Sequence, residues 1–273
     1  AFLARLGVST TYYDPLIGAG IADLIQENTR LVFTESPGSL TFEMQDIGAI
    51  AEAAHARDVV VLMDNTWATG LYFRPLAQGV DVSINACTKY VVGHADAMLG
   101  AITASARTAR AIEMSRALLG GCPGSEETYL GLRGLRTLAV RLARHHKAGL
   151  EVAEWLAGRP EVARVLHPAL PSDPGHALWK AQYTGASGLF SIVLEPAPRA
   201  GLAAMLDGFE LFGMGYSWGG YESLIIPFDP RTCRTATPWT DEGQALRLHI
   251  GLDDPRDLIS DLDAGFARLK SAA

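Results

Sequence analysis

VVVLMD at residues 59–64 is the stretch that decides the fold, together with three similar stretches: RLVFTES (30–36), VDVSINA (80–86) and AMLGAITA (97–104). Each is short and apolar, and a segment of helical periodicity over residues 46–56 separates the first two. Strands with so few polar positions are typical of a sheet covered on both faces. Short apolar strands alternating with helices predict an α/β layer with a parallel or mixed sheet.

A second, smaller unit is predicted beyond residue 104. A helix near residues 106–119 is followed by a long amphipathic segment over residues 125–158, and we place a domain boundary inside that segment. The predicted domains are a partial large domain over residues 1–135 and an α+β domain over residues 136–273. The strands and helices predicted for the latter lie at 188–195, 200–207, 210–213, 224–228, 246–252 and 255–271.

The chain opens on AFLARLGVSTTYYD, without Met, in a pattern that indicates a helix end running into a strand. Such a pattern belongs to the middle of a domain. We therefore expect the mostly parallel sheet to be incomplete at its N-terminal side.

Composition favours a small-molecule role. The chain has 273 residues, 48% hydrophobic and 19% charged, which is enough to bury a large core. Its formal net charge is -7, and no cluster of Lys or Arg could neutralise a row of phosphates. Nucleic acid is therefore excluded as a partner, and a small molecule is the better expectation.

The cysteines and the apolar runs predict a cytoplasmic location. Cys87, Cys122 and Cys233 are odd in number and lack the spacing of a disulfide framework or a zinc site. No apolar run is long enough to span a bilayer, and the first residues lack a secretory signal pattern. We expect a soluble protein in a reducing compartment, without membrane contact.

Lys89 is the most informative single residue. The chain contains four lysines, and Lys89 is the only one in the first 146 residues. It follows an apolar strand, where burial would lower the pKa of its amine and free it to form an imine with a carbonyl compound. The alternative is a strand-end lysine that reaches solvent, or half of an ion pair with Asp96.

Asp64 ends the strand that precedes the Lys89 strand. Both residues fall just past the carboxyl ends of strands, where ligands of α/β sheets gather. A carboxylate there can bind a protonated pyridine nitrogen and keep the ring an electron sink. The alternative is that Asp64 only caps the turn it begins.

Five motifs carry a resemblance to a known family. They are YDPLIG (13–18), ESPGS (35–39), DNTWATG (64–70) with INACTKYVVGHADAMLG (84–100), GMGYSWGGYESLI (213–225) and LRLHIGLDDPRDLISDLDAGFARL (246–269). Their order and separation resemble the pyridoxal-phosphate (PLP) enzymes of cysteine and methionine metabolism, and within them the cystathionine β-lyases. The resemblance extends over nearly the whole chain and implies PLP as cofactor.

The resemblance implies roles for six residues. Lys89 would be the Schiff-base lysine, Asp64 the partner of the pyridine nitrogen, and Thr88 a hydroxyl ligand of the cofactor phosphate. Arg247 would grip the substrate α-carboxylate, a task suited to its planar fork of donors. Its alternative is a strand arginine in a surface ion pair.

Ser217 and Trp218 would line the site near that carboxylate. Their alternative is a glycine-bounded turn with an aromatic ring packed on it. The family's phosphate-binding glycine loop, its ring-stacking tyrosine, and the tyrosine and arginine that a neighbouring subunit contributes match no residue of this chain. A homotetramer built from dimers is implied by the same resemblance.

The implied reaction is α,β-elimination of cystathionine to homocysteine, pyruvate and ammonia, a step toward methionine, with cleavage of other cysteine S-conjugates by the same chemistry. Cystathionine γ-lyase, γ-synthase or methionine γ-lyase activity on the same scaffold is an alternative. A non-catalytic module is a second alternative. A NAD-binding domain is disfavoured because no glycine fingerprint follows the first strand.

The histidines do not indicate a metal site. His94 and Asp96 lack a third ligand nearby, and we expect them to order the loop after Lys89. His145 and His146 are adjacent in a helix, and we expect them to be solvated or to lie at a subunit contact.

Overall fold

The computed structural model of the protein describes residues 2–271. Ala1, Ala272 and Ala273, the outermost residues of the two predicted domains, lie outside the described residues. The helices are α1 Phe2–Arg5, α2 Ile47–His55, α3 Thr69–Tyr72, α4 Ala109–Leu118, α5 Ser125–Leu135, α6 Leu138–Ala157, α7 His176–Gln182, α8 Arg199–Asp207 and α9 Pro255–Ser271. Short 3-10 turns cover Gly18–Leu24, Pro75–Gln78 and Pro230–Thr232.

The first sheet contains strands β1 to β4 in sequence order. The first three strands are parallel, and the fourth is antiparallel to the third, so the sheet is mixed and mostly parallel. Their bounds are β1 Leu31–Glu35, β2 Val60–Asp64, β3 Val82–Asn85 and β4 Ala101–Ala104.

One face of this sheet is buried and the other is open. Val32, Val61 and Met63 face the core under α2, which Asp46 caps by accepting a hydrogen bond from the Ala49 amide. On the opposite face, Leu31 is 46% exposed and Phe33 is 50% exposed. The expectation of strands covered on both faces is therefore wrong for β1, whose second face is exposed within residues 2–271.

The second sheet has the order β5-β6-β8-β7 and is antiparallel throughout. Helices α6, α8 and α9 share its core. Every residue of β6 and of β8 is buried. The bounds are β5 Val162–Leu166, β6 Leu189–Leu194, β7 Leu224–Phe228 and β8 Ala245–His249.

The predicted fold class is confirmed: a mostly parallel α/β sheet is followed by a smaller α+β unit. The amphipathic segment 125–158 forms two helices, α5 and α6, that are separated at residues 136–137, and the apolar run 210–213 forms only a bridge between Gly213 and Leu224. The sheets fall on either side of residue 135, and the domain division itself stays a prediction. Among the described helices, none combines the length and apolar character needed to cross a membrane.

Candidate active site

The carboxyl ends of β1 and β2 carry two acidic side chains. Glu35 is the register partner of Asp64, which in turn is paired with Ile84 of β3. Register partners in a parallel ladder point to the same face of the sheet. The carboxylates of Glu35 and Asp64 therefore share the open face at the edge where ligands of such sheets bind.

The turn after Asp64 is held in place by hydrogen bonds. One oxygen of Asp64 accepts a hydrogen bond from the Thr66 amide at 2.8 Å. The carboxylate therefore caps its turn, which was the alternative role considered for Asp64. The Thr66 hydroxyl accepts from the Ala86 amide at 2.9 Å, and the Asn65 amide donates to the Ile84 carbonyl. The Asp64 turn is thus tied to the segment that leads to Lys89.

This acidic edge lacks a positive partner. The pKa of Glu35 is raised to about 7 by burial and by the negative charge of Asp64, against a hydrogen bond with Ser39 that lowers it. No ion pair to Glu35 or Asp64 is formed within residues 2–271. A protonated pyridine nitrogen would supply the missing positive charge, so the donor set fits the cofactor that the motifs imply.

Lys89 lies under a turn from the second half of the chain. Its Nζ donates to Oγ of Ser217 at 3.0 Å and lies 5.2 Å from the ring centroid of Trp218. Burial and the nearby charge of Arg247 lower the pKa of the Lys89 amine, as the sequence predicted for a catalytic lysine. Asp96 is exposed and makes no ion pair in the described chain, so the Asp96 alternative is wrong.

Gly219 allows the turn to approach Lys89 closely. Its φ is +84°, and a Cβ placed on it would lie 2.8 to 2.9 Å from Cβ, Cα and the carbonyl carbon of Lys89. Only glycine combines that left-handed conformation with such a contact. The Ser217–Trp218 turn is therefore built against the lysine backbone.

Arg247 lies on β8 and is 9% exposed. Its Nη2 donates to the Tyr216 carbonyl at 2.7 Å, and burial lowers the pKa of its guanidinium. It forms no ion pair with a carboxylate of the described residues, which is contrary to the surface-pair alternative. A buried guanidinium with unused donors suits a carboxylate ligand.

The structure thus brings Lys89, Ser217, Trp218 and Arg247 together. Asp64 reaches this group only through the backbone links of its turn, and no hydrogen bond or ion pair in the described chain joins it to Lys89. The hydroxyl of Thr88 is engaged with the backbone of Leu99, accepting from its amide at 2.9 Å and donating to its carbonyl at 3.2 Å. A phosphate contact of Thr88 stays a prediction.

The histidine expectations need correction. His145 is 1% exposed, its Nδ1 donates to the Ile250 carbonyl at 2.8 Å, and burial lowers its pKa to about 4. His146 accepts from the Ala186 amide. Packing of α6 against later residues, which the helical spacing does not reveal, buries His145 and leaves His146 half-buried. Nδ1 of His94 bonds to the Val92 carbonyl within the loop after Lys89, and residues 2–271 contain no group of three potential metal ligands.

Three further residues at the site escaped the sequence reasoning. Glu35 could have been found, since β1 and β2 both end on an acidic residue. His249 also had a signal, because it lies two residues after Arg247 and strand alternation places both on one face. The close approach of Gly219 to Lys89 had no sequence signal.

Comparison with known proteins agrees with this geometry. A family model described as "Cys/Met metabolism PLP-dependent enzyme" matches residues 1–267. Cystathionine β-lyase of Escherichia coli (strain K12) is 50% identical over 273 residues, which is 98% of this chain and 69% of that protein. A putative cystathionine β-lyase of Rhizobium johnstonii is 51% identical over 269 residues, covering 97% of this chain and 68% of that protein.

A solved structure shares the fold. Cystathionine γ-synthase from Xanthomonas oryzae pv. oryzae, in complex with aminoacrylate and cysteine, superposes with a TM-score of 0.90 at 31% identity. The match covers 100% of this chain and 72% of that one. The likeness therefore extends over both sheets and includes enzymes that differ in the reaction they catalyse.

Proposed function

This chain belongs to the Cys/Met metabolism PLP-dependent enzyme family, and on that premise we propose that it cleaves the Cβ–S bond of cystathionine and, with consumption of one water molecule, gives homocysteine, pyruvate and ammonia. A role in methionine biosynthesis, and cleavage of other cysteine S-conjugates, follow from the same proposal. The single observation that carries it is the Lys89 amine, whose pKa is lowered and which lies beneath Ser217 and near Arg247.

Three residues would hold the cofactor. Lys89 would bind its carbonyl carbon covalently, Asp64 would pair with its pyridine nitrogen, and Thr88 would contact its phosphate. When bound, PLP supplies an electron sink for the negative charge that develops at the substrate α-carbon. Where it is ionised, Glu35 beside Asp64 would add negative charge that favours a protonated pyridine nitrogen.

Lys89 would move the protons. The free Lys89 amine would take the α-proton of the substrate, and the resulting ammonium would donate a proton to the departing sulfur. A lowered pKa favours the neutral amine that the first transfer needs. Ser217, whose Oγ lies 3.0 Å from Nζ, holds the amine in place between these two transfers.

Arg247 would orient the substrate. Its Nη2 is already bonded to the Tyr216 carbonyl, which fixes the plane of the guanidinium and leaves other donors for the α-carboxylate. The Trp218 ring, whose centroid lies 5.2 Å from the lysine amine, would restrict the access of water.

The assay that tests the proposal uses the chain with added PLP and cystathionine and identifies the keto acid released. Pyruvate together with homocysteine is expected. Release of 2-oxobutyrate would instead place the chain with the γ-cleaving enzymes of this scaffold, and failure to bind PLP at all would support the non-catalytic alternative.

The proposal includes a homo-oligomer, a tetramer by resemblance, in the cytoplasm. Large apolar side chains on the surface of one chain support subunit contact: Leu118 is 79% exposed and Leu119 is 86% exposed. Light scattering of the purified chain, which measures the mass in solution, tests this part.

A further inference from the structure

His249 lies on β8 two residues after Arg247 and is 1% exposed. Both nitrogens of its ring are in use. Nε2 accepts a hydrogen bond from the Gly219 amide at 3.0 Å, and Nδ1 donates to the Glu222 carbonyl at 3.0 Å. The ring therefore bridges two points of the turn formed by residues 216–222.

These two bonds require one protonation state. An amide N–H can only donate and a carbonyl can only accept, so the proton of the neutral imidazole lies on Nδ1. Burial lowers the pKa of His249 to about 3, and the positive charges of Arg247 and Lys89 act in the same direction, as does His145. The rings of Tyr90 and His145 pack beside it. The ring stays neutral at ordinary pH and keeps both bonds.

The turn that His249 holds is the one that contacts the lysine. Gly219, bonded to Nε2, rests directly against the backbone of Lys89. Ser217, two residues earlier, receives the bond from the Lys89 amine, and Trp218 lies over that amine. A shift of Gly219 would move both residues relative to the amine.

We propose that His249 is a positioning residue that, through the Gly219 amide and the Glu222 carbonyl, holds the 216–222 turn against Lys89 and so sets the place of the lysine amine. The proposal deepens the lyase function and depends on it for the kinetic measurement alone. His249 acts on Lys89 through the turn, since no hydrogen bond in the described residues joins His249 to Lys89.

The chain offers a matched control in His167. This residue is fully buried, burial lowers its pKa to about 3, and its Nδ1 accepts from the Ala169 amide at 3.1 Å. Its ring packs on Phe190 rather than on the lysine turn. His249→Leu and His167→Leu each remove a buried neutral imidazole, and only the first releases the turn.

The first measurement needs neither cofactor nor substrate. The rate at which acetic anhydride labels Lys89, followed by mass spectrometry against pH and normalised to exposed Lys180, reports the pKa of the Lys89 amine. His249→Leu is expected to move the midpoint upward by about one pH unit, because a loosened turn lets water reach the amine. His167→Leu is expected to leave the midpoint in place at a similar loss of stability.

The second measurement is kinetic. With PLP and cystathionine, His249→Leu is expected to lower kcat by about 100-fold with little change in KM, since the amine is misplaced while Arg247 still binds substrate. His249→Gln, whose amide oxygen can accept from Gly219, is expected to recover part of the rate and of the midpoint. This variant also keeps the test open if the leucine variant fails to fold.

Two results would overturn the proposal: an unmoved Lys89 midpoint in both His249 variants, or equal losses of kcat in His249→Leu and His167→Leu. If the parent chain releases no pyruvate but the labelling midpoint moves as expected, the proposed reaction fails while the positioning role stands. The two failures are thus distinguishable.

Discussion

The two sheets of the molecule differ in how completely the surrounding residues bury their strands. In the antiparallel sheet, β6 and β8 are buried along their whole length, with α6, α8 and α9 in the same core. In the mostly parallel sheet of the described residues, β1 alternates between buried and largely exposed positions and β2 between buried and half-buried positions, so one face is less covered than the other.

Their acidic groups differ in the same way. Glu161 at the start of the antiparallel sheet pairs with Arg159 and Lys270, whose hydrogen bonds outweigh burial and lower its pKa. Glu35 and Asp64 at the edge of the parallel sheet have no such partner among residues 2–271, and the pKa of Glu35 is raised. The parallel sheet therefore supplies acidic groups whose charge a ligand could balance, whereas the antiparallel sheet is the buried support on which Arg247 and His249 lie.

The largest expected effect is at Lys89. Lys89→Ala removes the amine that we propose binds the cofactor and transfers protons, so the elimination rate should fall at least about 1,000-fold. The visible absorbance of the lysine-bound cofactor should vanish, which a spectrum before and after borohydride checks. Lys180→Ala, an exposed lysine of α7, is the control. An unchanged yellow colour in Lys89→Ala would show that Lys89 is not the residue that binds the cofactor.

The second-largest effect is expected at Gly219, where the second half of the chain contacts the Lys89 backbone. Gly219→Ala forces a Cβ into the Lys89 backbone at a positive φ, which adds strain of about 1–2 kcal/mol and moves the turn. We expect kcat to fall by about 100-fold, measured at saturating substrate. Gly70→Ala is the matched control, because Gly70 has open space around it and no positive φ. Similar activities for the two variants would contradict a tight fit at Lys89.

A smaller effect is expected at Arg247, the residue of the antiparallel sheet that we propose binds the substrate. Arg247→Ala should raise KM for cystathionine on the order of 10- to 100-fold, because a charged bond to the α-carboxylate is lost. The pKa of Lys89 should also rise toward its ordinary value, since a neighbouring positive charge is gone, and the pH profile of the rate should move to higher pH. Arg231→Ala, an exposed arginine paired with Asp229, should change neither. Kinetics of Arg247→Ala equal to the parent would exclude the substrate role.

The smallest expected effect concerns the acidic edge and is read from stability. The folded pKa of Glu35 lies above its unfolded value, so its contribution to folding is lost as pH rises from about 4.5 through about 7. Glu35→Gln should match the parent near pH 4 and become more stable by about 1–2 kcal/mol at pH 8, measured by urea unfolding of the cofactor-free chain.

Glu161→Gln is expected to behave in the opposite way. Its folded pKa is lowered, so its contribution is present at neutral pH and is lost as pH falls through the acidic range. The variant should therefore be less stable than the parent at pH 7. If both variants changed stability with pH in the same direction, the contrast between the two sheets would be wrong.

Much of the fold could be predicted because it depends on local patterns. The runs ending at Glu35 and Asp64 are apolar and β-branched, which predicts strands, and Asp254 before Pro255 marks the start of α9. The open face of the first sheet could not be predicted, since apolar strands show the same pattern whether or not a neighbour covers them. His145 was misjudged for a related reason: helical spacing gives the direction of a side chain within its helix and does not show what packs there.

The sequence by itself determined that the chain is an α/β protein of the PLP family and predicted Lys89 and Asp64 as its central residues, because strand periodicity and continuous motifs are encoded by neighbours along the chain. Only the tertiary structure decided that Ser217, 128 residues away, accepts the bond from Lys89, that Gly219 fits against the lysine backbone, and that His249 holds their turn. Contacts over such separations depend on how the two sheets pack, and packing distances of a few ångströms are set by the whole folded chain.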